Sequence, residues 1–343
     1  MHGRVRGSIS QEVKDGLRRK ASMFSDLSAL IDKGRKAGDK SEKALELTYK
    51  MLVMNPDCYT WWNYRREILL HLHGSKEDEE DTNSLGLTME ASEDLKIPAS
   101  RGSELRDKEL QLTVDAIMKN PKSYPAWSHR QWILLRFECD YDYEIKLCND
   151  MLDADQRNFH CWNYRRFVIK ASERSVTSEL EYCTEKIEQN FSNYSAFHHR
   201  SVYFKRLHDG ESFQKLLPSF RVEFSIVENA TFTDPYDQSA WWYHRFLVKF
   251  LECGRPGLNK EDDRQPIVSL LNNQIELFKT LIDYEPLCKW TIDAVLHLTI
   301  MVRAWEEGIA GTSSDVSEEE KALVAQLQQL DPLRTQRYRT ILA

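Results

Sequence analysis

Four segments of this chain align without a gap: Asn55 to Arg65, Asn120 to Arg130, Asp155 to Arg165 and Asn190 to Arg200. Each opens on Asn or Asp, then has an aromatic residue four places on, Trp or Phe at seven and Arg at ten. Trp62, Trp127, Trp162 and Phe197 follow one another at intervals of 65, 35 and 35 residues. A fixed period of this size confines a chain to repeat architectures. A fifth copy, Asp234 to Arg245, aligns on Trp242 and Arg245 if one extra residue is allowed. A weaker sixth runs from Asp283 through Pro286 to Trp290, and a degenerate seventh starts at Asp331 and Pro332.

The frame has the chemistry of a helix start. Asn or Asp takes up a free backbone N–H as an N-cap. A proline beside it has no N–H to leave unpaired and a preset φ. Offsets of four, seven and ten fall on one helical face, so each copy predicts a helix with an aromatic buried side. A second helix precedes each one. Leu45, Thr48 and Leu52 recur as Leu110, Thr113 and Ile117, as Ile145, Cys148 and Leu152, and as Leu180, Cys183 and Ile187. This i, i+3, i+7 spacing is the core stripe of an amphipathic helix. One such pair cannot bury its own apolar face, so neighbours must stack. The expectation is an all-α fold, a right-handed α-α superhelix of six to seven helix pairs forming one solenoid domain over residues 1–343.

Two stretches interrupt the array. Residues 74–106 are acidic and rich in Ser and Gly, and read as a mobile insertion. Cys253 to Gln265, with Gly254, Pro256 and Gly257, reads as a short polar loop. The chain carries a net charge of −7 and no long basic block, which argues against binding nucleic acid through its phosphates. No apolar run is long enough for a membrane span, and nothing behind Met1 resembles a secretory signal. Seven scattered cysteines without a C-x-x-C pair read as reduced thiols, and the location expected is cytoplasmic. His198 and His199 are adjacent, and adjacent residues on a helix point about 100° apart. They do not make a zinc pair, and no complete zinc set, nucleophile–base triad or Gly-rich phosphate loop occurs.

The tandem helix pairs with Trp-x-x-Arg after an Asn-Pro turn resemble the protein prenyltransferase α-subunit repeat family. Within it, the Met1 to Arg4 start, Arg157 to Phe167, Asn190 to Tyr194 and Thr233 to Trp241 are similar to the Rab geranylgeranyltransferase (type II) branch. The Pro-rich start usual in the α subunit shared by farnesyltransferase and geranylgeranyltransferase-I is absent. So are the immunoglobulin-like and leucine-rich-repeat modules of animal type II subunits.

The resemblance implies a heterodimer that is inactive without its β subunit. That partner holds geranylgeranyl diphosphate and a Zn2+ ion that activates a substrate cysteine thiol. A Rab escort protein presents the Rab GTPase whose C-terminal cysteines are modified. It also implies site residues. Lys122 faces the diphosphate leaving group, and Tyr124 adds a hydrogen bond toward it. Asn158 and His160 lie near the same group, with Phe159 between them. His2 can reach the partner's zinc. Lys122 and His160 stand where the other copies vary, whereas Tyr124 shares an aromatic column with Tyr59, Phe159 and Tyr194 and so has a packing role. Arg65, Arg130, Arg165, Arg200 and Arg245 recur too regularly for single-site chemistry, and imply bonds to carboxylates or helix-end carbonyls of the adjacent pair. Two other readings stay open: a helical scaffold that only binds proteins, and the farnesyl/geranylgeranyl-I type of α subunit.

Overall fold

A computed structural model describes residues 10–73, 99–209, 211, 213–252, 261–310 and 315–341. Every regular element among them is helical. Helix α1 (Gln11–Lys36) precedes a series of antiparallel pairs. The chain divides into two compact units, residues 1–173 and 174–343. The first unit holds α1 and the pairs α2/α3 (Glu42–Met54, Tyr59–His73), α4/α5 (Ala99–Lys119, Tyr124–Arg136) and α6/α7 (Tyr141–Ala154, Phe159–Ala171). The second holds α8/α9 (Val176–Gln189, Tyr194–Leu207), α10/α11 (Phe213–Thr233, Gln238–Glu252), α12/α13 (Glu261–Tyr284, Lys289–Ala310) and α14/α15 (Glu318–Leu330, Thr335–Ile341). Among the described residues no helix is long and apolar enough to cross a membrane.

The frame sits at the turn of each pair, and its Asn or Asp works differently from the N-cap expected. Asn55, Asp155 and Asn190 close the first helix of their pairs. Their side-chain oxygens accept the backbone N–H two residues on, from Asp57, Arg157 and Ser192 at 3.0–3.1 Å. The backbone then closes a four-residue turn, with Ser123 N–H donating to Asn120 O and Asn158 N–H to Asp155 O, both at 3.0 Å. Asx at the first position and proline at the second are what such a turn favours. The true N-cap is three residues after the frame start. Asn158 accepts the N–H groups of His160 and Cys161, and Asn193 that of Ala196. Two capping positions stand three apart, and in the five strong copies only the first is always Asn or Asp, so the pattern points to the wrong one.

The column at offset seven is the core. Trp62, Trp127, Trp162, Phe197 and Trp241 are all buried. Each Trp Nε1–H donates to the carbonyl of the residue after its own frame start: Trp62 to Pro56, Trp127 to Pro121, Trp162 to Gln156 and Trp241 to Pro235, at 2.7–2.9 Å. An indole buried without a partner would lose the benefit of its area. This bond corrects the fifth copy. Trp241 fills the column, so no residue is inserted, and the position at ten is His244 rather than Arg245. The sixth copy is also shifted. Its turn closes with Cys288 N–H on Glu285 O, which puts the frame start at Glu285 and Ile292 in the column. In the seventh, Arg334 N–H donates to Asp331 O and Tyr338 fills the column.

The recurrent arginines clamp one pair to the next. Arg65 reaches Glu109 with two bonds, Nε at 2.8 Å and Nη2 at 2.5 Å, while its Nη1 donates to Leu45 O and Thr48 Oγ1. Arg130 does the same with Glu144, Leu110 O and Thr113, and Arg200 with Glu223, Leu180 O and Thr184. Each buried glutamate also takes a bond from its own pair. His129 meets Glu109, Tyr164 donates to Glu144, His199 meets Glu179 and Tyr243 donates to Glu223. Arg245 is outside this scheme. It is half exposed and pairs with Asp293.

Parts of two expected irregular stretches are helical. Residues 99–106 form the first turns of α4, and residues 261–265 begin α12. The remaining parts, 74–98 and 253–260, lie outside the described residues.

Two buried histidines make the core acid-sensitive. His129 gives its Nε2 to Glu109 and takes Arg66 Nε–H on Nδ1, an arrangement suited to a neutral ring. Burial first, then the Arg66 and Arg65 charges, outweigh Glu109 and push its pKa down to about 4. Burial pushes His244 down to about 3, helped by the charges of His297 and Arg245. Both folded values lie below the unfolded one of about 6.5. Between these limits the unfolded chain binds more protons, so stability rises with pH. The stabilisation is full above about pH 6.5 and is lost as pH falls toward 4 and then 3. Urea denaturation at a series of pH values should show a slope of about 1.4 kcal/mol per pH unit per histidine between pH 6 and 4.5. A flat profile there would rule out neutral buried histidines. His129→Gln should remove its share of the slope.

Candidate functional site

The candidate residues come from two adjacent turns of the first unit. Lys122 and Tyr124 follow the turn that ends α4, while Asn158, Phe159 and His160 follow the turn that ends α6. These turns are held in register by Asn158. Its Nδ2 donates to Pro121 O at 3.0 Å, and its Oδ1 caps α7 through the N–H groups of His160 and Cys161. Asn158 is 1% exposed and its side chain is fully engaged inside the fold. It therefore acts on this site by holding the residue before Lys122 against the helix that carries His160. Ser123 makes the same contact to Pro56 O one repeat earlier.

The register brings three polar groups together. The rings of Tyr124 and His160 meet edge to face, with centroids 4.1 Å apart and planes at 88°. The ring of Phe159 lies beside that of His160, with centroids 3.9 Å apart and planes tilted by 33°. Burial lowers the pKa of His160, and the positive charge of Lys122 lowers it further, so the ring is neutral at pH 7. Lys122 is 69% exposed at its side chain, with Nζ 3.9 Å from Asp155 Oδ2. The patch thus sets an exposed ammonium and an exposed phenol near an imidazole that is 5% exposed. Such a set can bind an anion and stabilise negative charge as it grows. Among the described residues no group of three or more His, Cys, Asp or Glu could hold a metal ion. The expected ligand His2 lies outside the described residues.

Tyr124 packs in its aromatic column only in part: its ring meets Phe159 with centroids 5.9 Å apart, and the column stays about half exposed. Tyr59, Tyr124, Phe159 and Tyr194 are 54%, 55%, 49% and 44% exposed. Offset four lies at the first residue of the helix, at the exposed end of the contact with the neighbouring pair. The column is therefore a surface feature, and the buried aromatic column is the one at offset seven. Two features went unread in the sequence. One is the glutamate eleven residues before the frame start, present as Glu109, Glu144, Glu179 and Glu223. Searching only for apolar periodicity passes over a charge, although the recurrence itself was visible. The other is Asp155, which looked like one more frame residue.

Comparison with known proteins agrees with this architecture. The family described as protein prenyltransferase alpha subunit repeat matches residues 41–72, 106–137, 141–172, 176–207 and 220–251. The fifth match places Asp234 where the first places Asn55, in keeping with the ungapped register. The chain is similar to the geranylgeranyl transferase type-2 subunit alpha of Dictyostelium discoideum, at 33% identity over 99% of both chains. It is 38% identical to the protein of that name from Rattus norvegicus, over 72% of this chain and 42% of the rat protein. A solved structure of Candida albicans protein geranylgeranyltransferase-I complexed with GGPP shares the fold, with a TM-score of 0.62 at 17% identity. That match covers 100% of this chain and 93% of the other. The chain belongs to the protein prenyltransferase α-subunit family. Within the family, the relatives named here that are at least 30% identical are α subunits of the type-2 geranylgeranyl transferase.

Proposed function

We infer that this chain is the α subunit of a heterodimeric type-2 geranylgeranyl transferase, with its repeats forming one continuous domain. The observation that carries the reading is the juxtaposition of Lys122, Tyr124 and His160 on two adjacent turns of a chain with type-2 relatives. A pure scaffold has no need of a cation and an imidazole at positions where the other repeats differ.

In the reaction, the bond between the first isoprenoid carbon and its diphosphate oxygen breaks. A carbon–sulfur bond to a substrate cysteine forms, the thiol proton is lost, and diphosphate leaves as an anion. Lys122 is placed to meet charge on the leaving oxygens, and the interaction strengthens as that charge develops. Tyr124 and His160 each offer one hydrogen bond to the same group. Asn158 keeps the two turns together. Zn2+ is assigned mainly to the β subunit, as the family resemblance implies. No step here is routed through it. His2 remains a proposed ligand from this chain to that ion. The partners are the β subunit, geranylgeranyl diphosphate, a Rab escort protein and the Rab GTPases it presents. The location proposed is cytoplasmic.

Prenyl transfer to a Rab protein is the test. The purified chain should transfer no geranylgeranyl group. Adding the β subunit and escort protein should restore transfer to the level of the co-purified heterodimer. Robust transfer by the chain alone would overturn the subunit reading. Full activity without escort protein would move the chain to the farnesyl/geranylgeranyl-I type.

A further inference from the structure

Successive turns in this fold touch at one recurring place. The residue two after a frame start meets the frame residue of the next pair. Asp57 takes two bonds from Asn120 Nδ2, at 3.0 and 2.8 Å. Tyr236 gives its hydroxyl to Glu285 at 3.1 Å. In the candidate site the same two positions are Lys122 and Asp155, and the contact becomes an ion pair. Asp155 divides its carboxylate between two tasks. Its Oδ1 accepts Arg157 N–H at 3.0 Å and shapes the turn, while its Oδ2 lies 3.9 Å from Lys122 Nζ.

We propose that Asp155 is the built-in counter-ion of Lys122, a positioning residue that holds the ammonium over the site and competes with diphosphate for it. The proposal rests on Lys122 facing the diphosphate. Its physical basis is a difference between the states of the reaction. A carboxylate beside the ammonium weakens the hold of Lys122 on any anion, and so limits how tightly free diphosphate is retained after transfer. Diphosphate must leave before the next turnover, so an uncompensated lysine would trap product.

Asp155→Asn separates charge from shape. Asn already fills the frame position at Asn55, Asn120 and Asn190, where it makes the same turn with its side-chain oxygen. The variant therefore keeps the bond to Arg157 N–H and removes only the negative charge. In the αβ heterodimer, inorganic diphosphate should inhibit Asp155→Asn more tightly than wild type. The expected factor is about two- to fivefold, the scale of an exposed ion pair. In a Lys122→Ala background the same substitution should leave inhibition unchanged, since there is no ammonium to release. A merely structural role would move both backgrounds alike. Unchanged inhibition in Asp155→Asn, alongside weakened inhibition in Lys122→Ala, would overturn the counter-ion role and leave the leaving-group role of Lys122 standing. Equal tightening in both backgrounds would overturn it too. If Lys122→Ala alters neither diphosphate inhibition nor the single-turnover rate, the site reading itself fails, and the proposal with it.

Discussion

Lys122→Ala should slow the single-turnover transfer of geranylgeranyl by roughly ten- to a thousandfold, or about 1.4–4 kcal/mol. That is the range for one lost electrostatic stabiliser of a transition state. The loss should fall on the chemical step, because the charge on the leaving diphosphate grows as its bond to carbon breaks. Stability should hardly change, since the side chain is 69% exposed and its ion pair with Asp155 lies in solvent. His160→Ala should act in the same direction and less strongly. Its ring is neutral at pH 7, held so by burial and by the neighbouring Lys122 charge, and can offer one hydrogen bond. Tyr124→Phe isolates the phenol, because the edge contact with His160 needs only the ring. The measurement is a single turnover of the heterodimer at saturating geranylgeranyl diphosphate. An unchanged rate in Lys122→Ala would remove this chain from the chemistry and leave it a scaffold for its partner.

Much of this architecture was legible because a repeat states its rule several times. Leu52, Ile117, Leu152 and Ile187 share one offset, and each is buried in the structure. The same redundancy hid other parts. Trp241 and Trp242 stand side by side, and the arginine after them drew the alignment to Trp242. Only the indole bond to Pro235 O decides between them. Likewise, Asn at the frame start satisfies the pattern of a helix cap, and only backbone geometry shows that it ends one helix instead of starting another. The candidate site was legible residue by residue but not as a site. Lys122 and Asp155 are 33 positions apart in the chain, and nothing in a periodic pattern says that neighbouring turns touch. That contact depends on how closely consecutive pairs stack, which is set by the side chains between the helices.

The stacking has its own test, distinct from activity. Arg130→Ala should destabilise the protein by about 3–5 kcal/mol, the cost of breaking a buried ion pair by removing one partner. Arg130 is 0% exposed and places four bonds: two on Glu144 at 2.6 and 2.7 Å, one on Leu110 O and one on Thr113 Oγ1. Truncation leaves Glu144, 1% exposed, without its cation and with the Tyr164 hydroxyl still donating to it at 2.6 Å. It also leaves a cavity the size of a guanidinium between α5 and α6. Burial, and then the Glu144 charge, raise the pKa of the Tyr164 phenol, so it stays a neutral hydrogen-bond donor and brings no positive charge to the stranded carboxylate. Arg245→Ala is the control, because that arginine is 49% exposed and outside the clamp. It should cost no more than about 1 kcal/mol, as for an exposed pair. The double variant Arg130→Met with Glu144→Leu should recover much of the loss, since it removes the stranded charge along with the pair. Urea denaturation of the three variants decides the matter. An Arg130→Ala protein within about 1 kcal/mol of wild type would show that apolar packing holds the pairs together without the arginine clamp.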